Sequence, residues 1–126
     1  MVESVSGGVS VHEMALMADI LQLVRRDAQK RNISVIERIE VVVGDLSNVL
    51  PDALDMAFDI CKRRGEQMLD PAAELVIVRE EARARCTACG KEYVPERLIA
   101  LCPFCKMPGG TVISGETFRV RSYEGR

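Results

Sequence analysis

The chain has 126 residues, 48% of them hydrophobic and 29% charged, close to ordinary soluble globular domains, which excludes both a multidomain machine and a wholly disordered chain. Seventeen Lys and Arg against 19 Asp and Glu leave a formal charge of -2, with no global pull toward nucleic acid or acidic membranes. No apolar run approaches the roughly 20 residues of a membrane span, and the first ten residues hold Glu3 without Lys or Arg, unlike a secretory or transit peptide, so a cytoplasmic location is expected.

Residues 11–31 read as an amphipathic helix: Met14, Met17, Leu21, Val24 and Ala28 recur at three- and four-residue spacings, and Leu16, Ile20 and Leu23 broaden the face. Arg25, Arg26, Lys30 and Arg31 crowd its last turns, where they complement the helix dipole, and Asn32 is the expected terminator. Residues 34–43 alternate as a half-exposed strand, with Val35, Ile39, Val41 and Val43 on one face and Arg38 and Glu40 on the other. After a loop over 44–50, Pro51 fits the first turn of a second helix with the stripe Leu54, Ala57, Phe58 and Cys61, and Gly65 closes it. Residues 75–78 make the next strand, residues 82–110 break into short β-like pieces, and residues 117–123 alternate again as a strand returning to the first sheet. A helix between two strands favours a parallel pair with a right-handed crossover. The expected fold is α+β or α/β: two helices on a three-stranded mixed sheet, built from residues 11–81 plus 111–126, with a ribbon inserted over 82–110.

Four of the five cysteines form Cys86-Thr-Ala-Cys89 and Cys102-Pro-Phe-Cys105, separated by twelve residues. This spacing points to one structural Zn(II) held by Cys86, Cys89, Cys102 and Cys105, because each turn presents two sulfurs and four thiolates at about 2.3 Å complete a tetrahedron. A closed tetrahedron leaves no position for catalysis. Gly90, free to take positive φ, lets the first turn curl back, and Pro103 restricts the second. Two disulfides would need an oxidising compartment, and a thioredoxin-like redox pair comes once, opening a helix. The fifth cysteine, Cys61, lies on the apolar stripe of the second helix and is expected as a buried, inert thiol.

His12 is the only histidine and stands in the first turn of the first helix, outside its apolar stripe. The positive end of the helix dipole opposes protonation there, which favours a neutral imidazole able to bind a borderline metal. The same stretch also fits a capping box, with Ser10 accepting from the Glu13 amide and Glu13 reaching back. Composition and spacing leave both readings open, and a single histidine would need backbone or terminal nitrogens to complete a metal site.

Several segments together carry a family resemblance: His12-Glu13-Met14-Ala15-Leu16, Val43-Gly44-Asp45-Leu46-Ser47, Pro51-Asp52-Ala53-Leu54, the paired cysteines, and Ser114-Gly115-Glu116 with Arg119-Val120. In this order, over residues 11 to about 123, the chain resembles the HypA/HybF family of nickel metallochaperones that mature nickel-iron hydrogenases. The resemblance implies a protein that accepts Ni(II) as cargo and passes it, with a GTPase partner of the HypB type, to a hydrogenase large subunit, without making or breaking a covalent bond. It implies His12 as the imidazole nickel ligand, Glu13 as its functional neighbour, and the four paired cysteines as ligands of a structural zinc. A monomer or weak homodimer is expected, with no nucleic-acid or membrane partner. The polar face of the first helix around Asp19, Gln22 and Arg26 is the expected GTPase docking face.

Two positions depart from the family pattern. Relatives begin Met-His-Glu, whereas Val11 precedes His12 here, so residues 1–10 are expected to be an extension upstream of a true start at Val11. Leu50 stands where many relatives carry a carboxylate before the proline, which leaves Asp45 and Asp52 as nearby acidic groups.

The alternative function is a zinc ribbon that binds nucleic acid within a transcription or RNA-processing assembly. Residues 82–110 carry Arg83, Arg85, Lys91, Arg97 and Lys106 against Glu92 and Glu96, but four thiolates and one Zn(II) reduce that surplus to about +1. With Tyr93 and Phe104 as its aromatics, the module offers neither a phosphate-tracking stripe nor a stacking platform. An enzyme is disfavoured because no phosphate-cradling glycine loop and no nucleophile–base pair stands at recognisable spacing.

Overall fold

The computed structural model describes residues 11–95 and 101–126, so the expected extension over 1–10, including Ser10 of the capping-box reading, lies outside the described residues. The elements are α1 (Val11–Lys30), β1 (Ile36–Gly44), α2 (Pro51–Arg63), β2 (Leu69–Glu80), β3 (Arg83–Arg85), β4 (Glu92–Tyr93), β5 (Thr111–Ser114) and β6 (Phe118–Gly125). Among the described residues the chain divides into two compact units, one of 11–41, Leu50–Ile77 and Val120–Arg126, the other of Val42–Val49, 78–95 and 101–119.

In the first unit the helical spacing of apolar residues translates into burial. Met17, Ile20, Leu21, Val24 and Ala28 of α1, Leu54, Ala57, Phe58 and Cys61 of α2, and Ile36, Ile39 and Val41 of β1 are all buried. Each large side chain among them contributes on the order of 1.5 to 3 kcal/mol by leaving water. Leu23, expected with Ile20 to broaden the buried face, is instead 57% exposed, whereas Ile20 is buried. Asn32 ends α1 at φ 59, and the Ile33 amide returns to the Ala28 carbonyl at 2.9 Å, the left-handed closure that asparagine tolerates. Gly65 does the same for α2 at φ 69, with the Glu66 amide on the Cys61 carbonyl at 3.2 Å.

The main sheet has the order β2-β1-β6. The Ile36 amide donates to the Met68 carbonyl and the Asp45 amide to the Glu80 carbonyl, so β1 and β2 run parallel; Val35 exchanges bonds with Arg126 while the Gly44 amide donates to Thr117, so β6 runs antiparallel. The sheet is mixed, as expected. Strand β2 is longer than the 75–78 read from sequence, because Pro71 and the Ala72-Ala73-Glu74 run argue against a strand, yet an edge position spares Pro71 the need for a ladder donor. Strand β1 is less half-exposed than its alternation predicts: Ile36 and Val42 are buried along with Ile39, Val41 and Val43. Arg38 and Glu40 between them are partly covered, with Arg38 against Glu40 and Glu124, and Arg121 against Glu40.

In the second unit β4-β3-β5 form a small antiparallel sheet, with Ala84 opposite Tyr93 and Arg85 opposite both Glu92 and Thr111. The ribbon's sheet therefore runs past residue 110, since Thr111–Ser114 pairs with β3. At its base, close backbone packing explains the glycine-bearing motifs. A Cβ on Gly44 would stand 2.1 Å from the Gly115 carbonyl oxygen, and a Cβ on Gly115 would stand 2.6 Å from the Ala82 Cα. Asp45 receives the Arg79 guanidinium at 2.6 and 2.7 Å and the Ala82 amide at 3.3 Å. The Glu80 carboxylate takes the amides of Gly115 at 2.8 Å and Thr117 at 3.3 Å.

Candidate metal sites

The two cysteine turns fold alike. In the first, the amides of Ala88 and Cys89 donate to the Cys86 sulfur at 3.3 and 3.4 Å, and the Gly90 amide closes on the Cys86 carbonyl at 2.9 Å. In the second, the Phe104 amide donates to the Cys102 sulfur at 3.4 Å, and the Lys106 amide closes on the Cys102 carbonyl at 2.8 Å. Each turn needs a left-handed residue directly after its second cysteine. Gly90 meets that need at φ 77, as expected, and Lys106 meets it at φ 63. Lys106 is the position that sequence reasoning passed over, and its place in the repeat was the available signal.

The four sulfurs of Cys86, Cys89, Cys102 and Cys105 all lie within 4.8 Å of one another. Cys86 and Cys105 are 3.5 Å apart and Cys89 and Cys102 3.8 Å, against the roughly 3.8 Å edge of a tetrahedron with 2.3 Å metal–sulfur bonds. All five cysteines are free, so the ribbon is not closed by disulfides. The amides of Cys89 and Ala88 stabilise the Cys86 thiolate and lower its pKa to about 6. Cys105, although served by the Met107 amide, is pushed up to about 11 by its cysteine neighbours. Successive ionisation therefore becomes harder as negative charge accumulates, and a bound cation relieves that repulsion. The donor set fits Zn(II), which would be held by these four thiolates as a closed, structural centre. Tyr93, read in the sequence only as one of the module's aromatics, is buried with Ala84, Cys86 and Cys102 around this cluster, and its hydroxyl has no hydrogen-bond partner among the described residues. Burial and then the cysteine sulfurs raise its pKa.

At the start of α1, His12 is exposed and Glu13 is 2% exposed. The Glu13 carboxylate accepts the Leu50 amide at 3.2 Å, where Leu50 is the N-cap of α2 and supplies no side-chain cap of its own. Of the two nearby acidic candidates, Asp45 has both oxygens engaged by Arg79, which holds its carboxyl below the ordinary value, and Asp52 is exposed in the first turn of α2. Cys61 is buried, as expected, and burial pushes its thiol pKa up. An open cleft of about 470 Å³ beside α1, lined by Leu23, Val24, Ile33, Val120 and Tyr123 among others, holds the Tyr123–Asp27 hydrogen bond. No helix of the described residues is long and apolar enough to cross a membrane.

Comparison with known proteins gives a consistent picture. A family model described as hydrogenase/urease nickel incorporation, metallochaperone, HypA matches residues 11–125. The hydrogenase maturation factor HypA of Moorella thermoacetica is 36% identical over 115 residues, covering 91% of this chain and 99% of that relative. The factor of the same name from Geobacter metallireducens is 35% identical over 114 residues, covering 90% and 98%. Among solved structures, a HypA protein in solution superposes with a TM-score of 0.64 at 25% identity, covering 93% of this chain and 98% of that one. The nickel metallochaperone HypA from Helicobacter pylori shares the fold at a TM-score of 0.60 and 24% identity, covering 90% and 96%.

Proposed function

The chain belongs to the HypA family of nickel incorporation metallochaperones that serve hydrogenase maturation, and on that premise we propose that it binds Ni(II) through His12 and passes the ion, with a GTPase of the HypB type, to a nickel-iron hydrogenase large subunit. A metallochaperone carries an ion and changes no covalent bond, so the protein is not an enzyme. The observation that carries the proposal is the family match over residues 11–125, which takes in His12 at its first turn.

Ni(II) favours a planar set of strong nitrogen donors. The exposed imidazole supplies one. Backbone nitrogens at a helix start supply others once they lose their amide protons, which have no intrahelical acceptor to hold them there. Glu13 acts as the neighbour of this site: its buried carboxylate ties the first turn of α1 to the start of α2. In this reading Cys86, Cys89, Cys102 and Cys105 hold Zn(II), whose chemistry is structural. The nickel-binding domain is the part that carries α1, α2 and the sheet β2-β1-β6, and the strand Thr111–Ser114 goes with the zinc ribbon. The protein works in the cytoplasm as a monomer or weak homodimer, without nucleic-acid or membrane partners.

Asp19, Gln22 and Arg26 are all exposed on α1, as a GTPase docking face requires. Charge reversal at Asp19 and Arg26 is expected to weaken GTPase binding in a calorimetric titration, and unchanged binding would remove that face from the proposal. The nickel site is tested by titrating Ni(II) into nickel-free protein whose four-cysteine site is filled with zinc, in competition with a chelator. Near-complete loss of tight binding in His12→Ala, with zinc content unchanged, is expected; equal affinity in the two proteins would overturn it.

A further inference from the structure

We propose that the tip of the second cysteine turn is a docking surface for an acidic protein segment that carries an apolar side chain. This goes beyond the nickel reading and does not depend on it. Leu101, Phe104 and Met107 are 51%, 58% and 52% exposed, three large apolar side chains within seven residues. Water-facing clusters of this kind mark binding surfaces. The backbone beneath them is held fast: Leu101 bridges to Pro108, the Cys102 amide donates to the Met107 carbonyl at 3.1 Å, and the Lys106 amide donates to the Cys102 carbonyl at 2.8 Å. A rigid display loses little entropy when a partner covers it.

Charge selects the occupant. The Lys91 ammonium lies 4.8 Å from the centre of the Phe104 ring, and Lys106 is exposed in the same turn. Neither lysine has an ion-pair partner among the described residues, and Glu92, which follows Lys91 in the sequence, is paired with Arg83 and Arg85. Two ammonium groups without a carboxylate partner among the described residues, beside three apolar side chains, attract carboxylates flanking an apolar anchor and repel a cationic segment. One exposed ring and two lysines fall short of the stacking rows and long cationic tracks that hold single-stranded nucleic acid. A protein segment is therefore the better fit.

The test uses the full chain loaded with one zinc and a fluorescein-labelled heptapeptide, Asp-Glu-Leu-Phe-Asp-Leu-Glu, read by fluorescence polarisation. A matched peptide with Lys in place of every acidic residue and a dodecathymidine strand serve as the other probes. The acidic peptide is expected to bind at least about tenfold more tightly than the basic one. Phe104→Ser, and Lys91→Glu combined with Lys106→Glu, should each weaken it about tenfold or more while zinc content stays unchanged. The doubly reversed protein should instead take up the basic peptide. Equal binding of both peptides, no binding of the acidic one, or indifference to the substitutions would overturn the proposal. Tighter binding of the oligonucleotide, lost with the same substitutions, would replace it with a nucleic-acid site. Loss of zinc from the doubly reversed protein would assign the lysines to neutralising the thiolate cluster and would also overturn it.

Discussion

The carboxylate of Glu13 accepts the backbone amide of Leu50 across 37 residues of sequence, oxygen to nitrogen 3.2 Å. Leucine at an N-cap offers no acceptor of its own, so one of the orphan donors at the start of α2 is satisfied by a side chain from α1. The same bond fixes the first turn of α1, the turn that presents His12.

Removing that carboxylate should destabilise the first unit. Glu13→Ala leaves the Leu50 amide without this acceptor, a loss of about 1 to 3 kcal/mol; Glu13→Gln keeps an acceptor oxygen and should lose less. Urea denaturation followed by circular dichroism measures both, and equal midpoints for wild type and Glu13→Ala would contradict the coupling.

The two cysteine turns should fail together. Replacing any one of Cys86, Cys89, Cys102 or Cys105 by Ala removes a ligand that a tetrahedral centre cannot replace, and structural zinc contributes on the order of 10 to 16 kcal/mol of apparent binding free energy in small modules. Amide exchange in β3, β4 and β5 should accelerate while residues 17–28 of α1 stay protected. About one zinc per chain in Cys86→Ala, by elemental analysis, would sink the assignment.

A chain shortened so that methionine stands at position 11 places a free amine beside His12. An amine binds nickel without losing an amide proton, so nickel affinity should exceed that of the full chain, and His12→Ala in the shortened chain should abolish it. Chelator competition reads both, and equal affinity for the shortened chain and its His12→Ala variant would defeat the site.

Gly115→Ala tests the base of the ribbon. Its φ of 105° lies where L side chains are strained, and the new Cβ would fall 2.6 Å from the Ala82 Cα. Backbone must shift to admit it, at a cost of about 1 to 3 kcal/mol or more. A thermal midpoint unchanged from wild type would show that this packing is not rigid.

The Tyr123 hydroxyl donates to Asp27 at 2.5 Å and, with Arg31, holds the Asp27 carboxyl below its ordinary value. A carboxyl depressed in the folded state contributes stability above its unfolded pKa of about 4, and the contribution disappears as pH falls through the lowered folded value. Tyr123→Phe should therefore melt below wild type at pH 7, and the gap should shrink as the pH falls below about 4. A gap independent of pH would assign the loss to packing alone.

Much of this protein was determined locally and was therefore legible in its residues. Helical spacing along α1 and α2 needs only the 3.6-residue repeat. The two Cys-x-x-Cys turns need only the reach of a short loop, and the Asn32 and Gly65 closures need only the conformational freedom of those residues. Tertiary structure decided what depends on distant partners. The start of β2 is a strand despite Pro71 because an edge strand bonds on one side, and edge position is a property of the sheet. Leu23 and Ile20 carry similar apolar side chains on one helix, and only packing separates the exposed one from the buried one. Glu13 read from spacing as a local cap and, through the family resemblance, as a metal-site neighbour. Its bond to Leu50 was invisible in sequence because spacing reports neighbours along the chain, whereas a buried hydrogen bond is chosen by whichever donor the fold brings within reach.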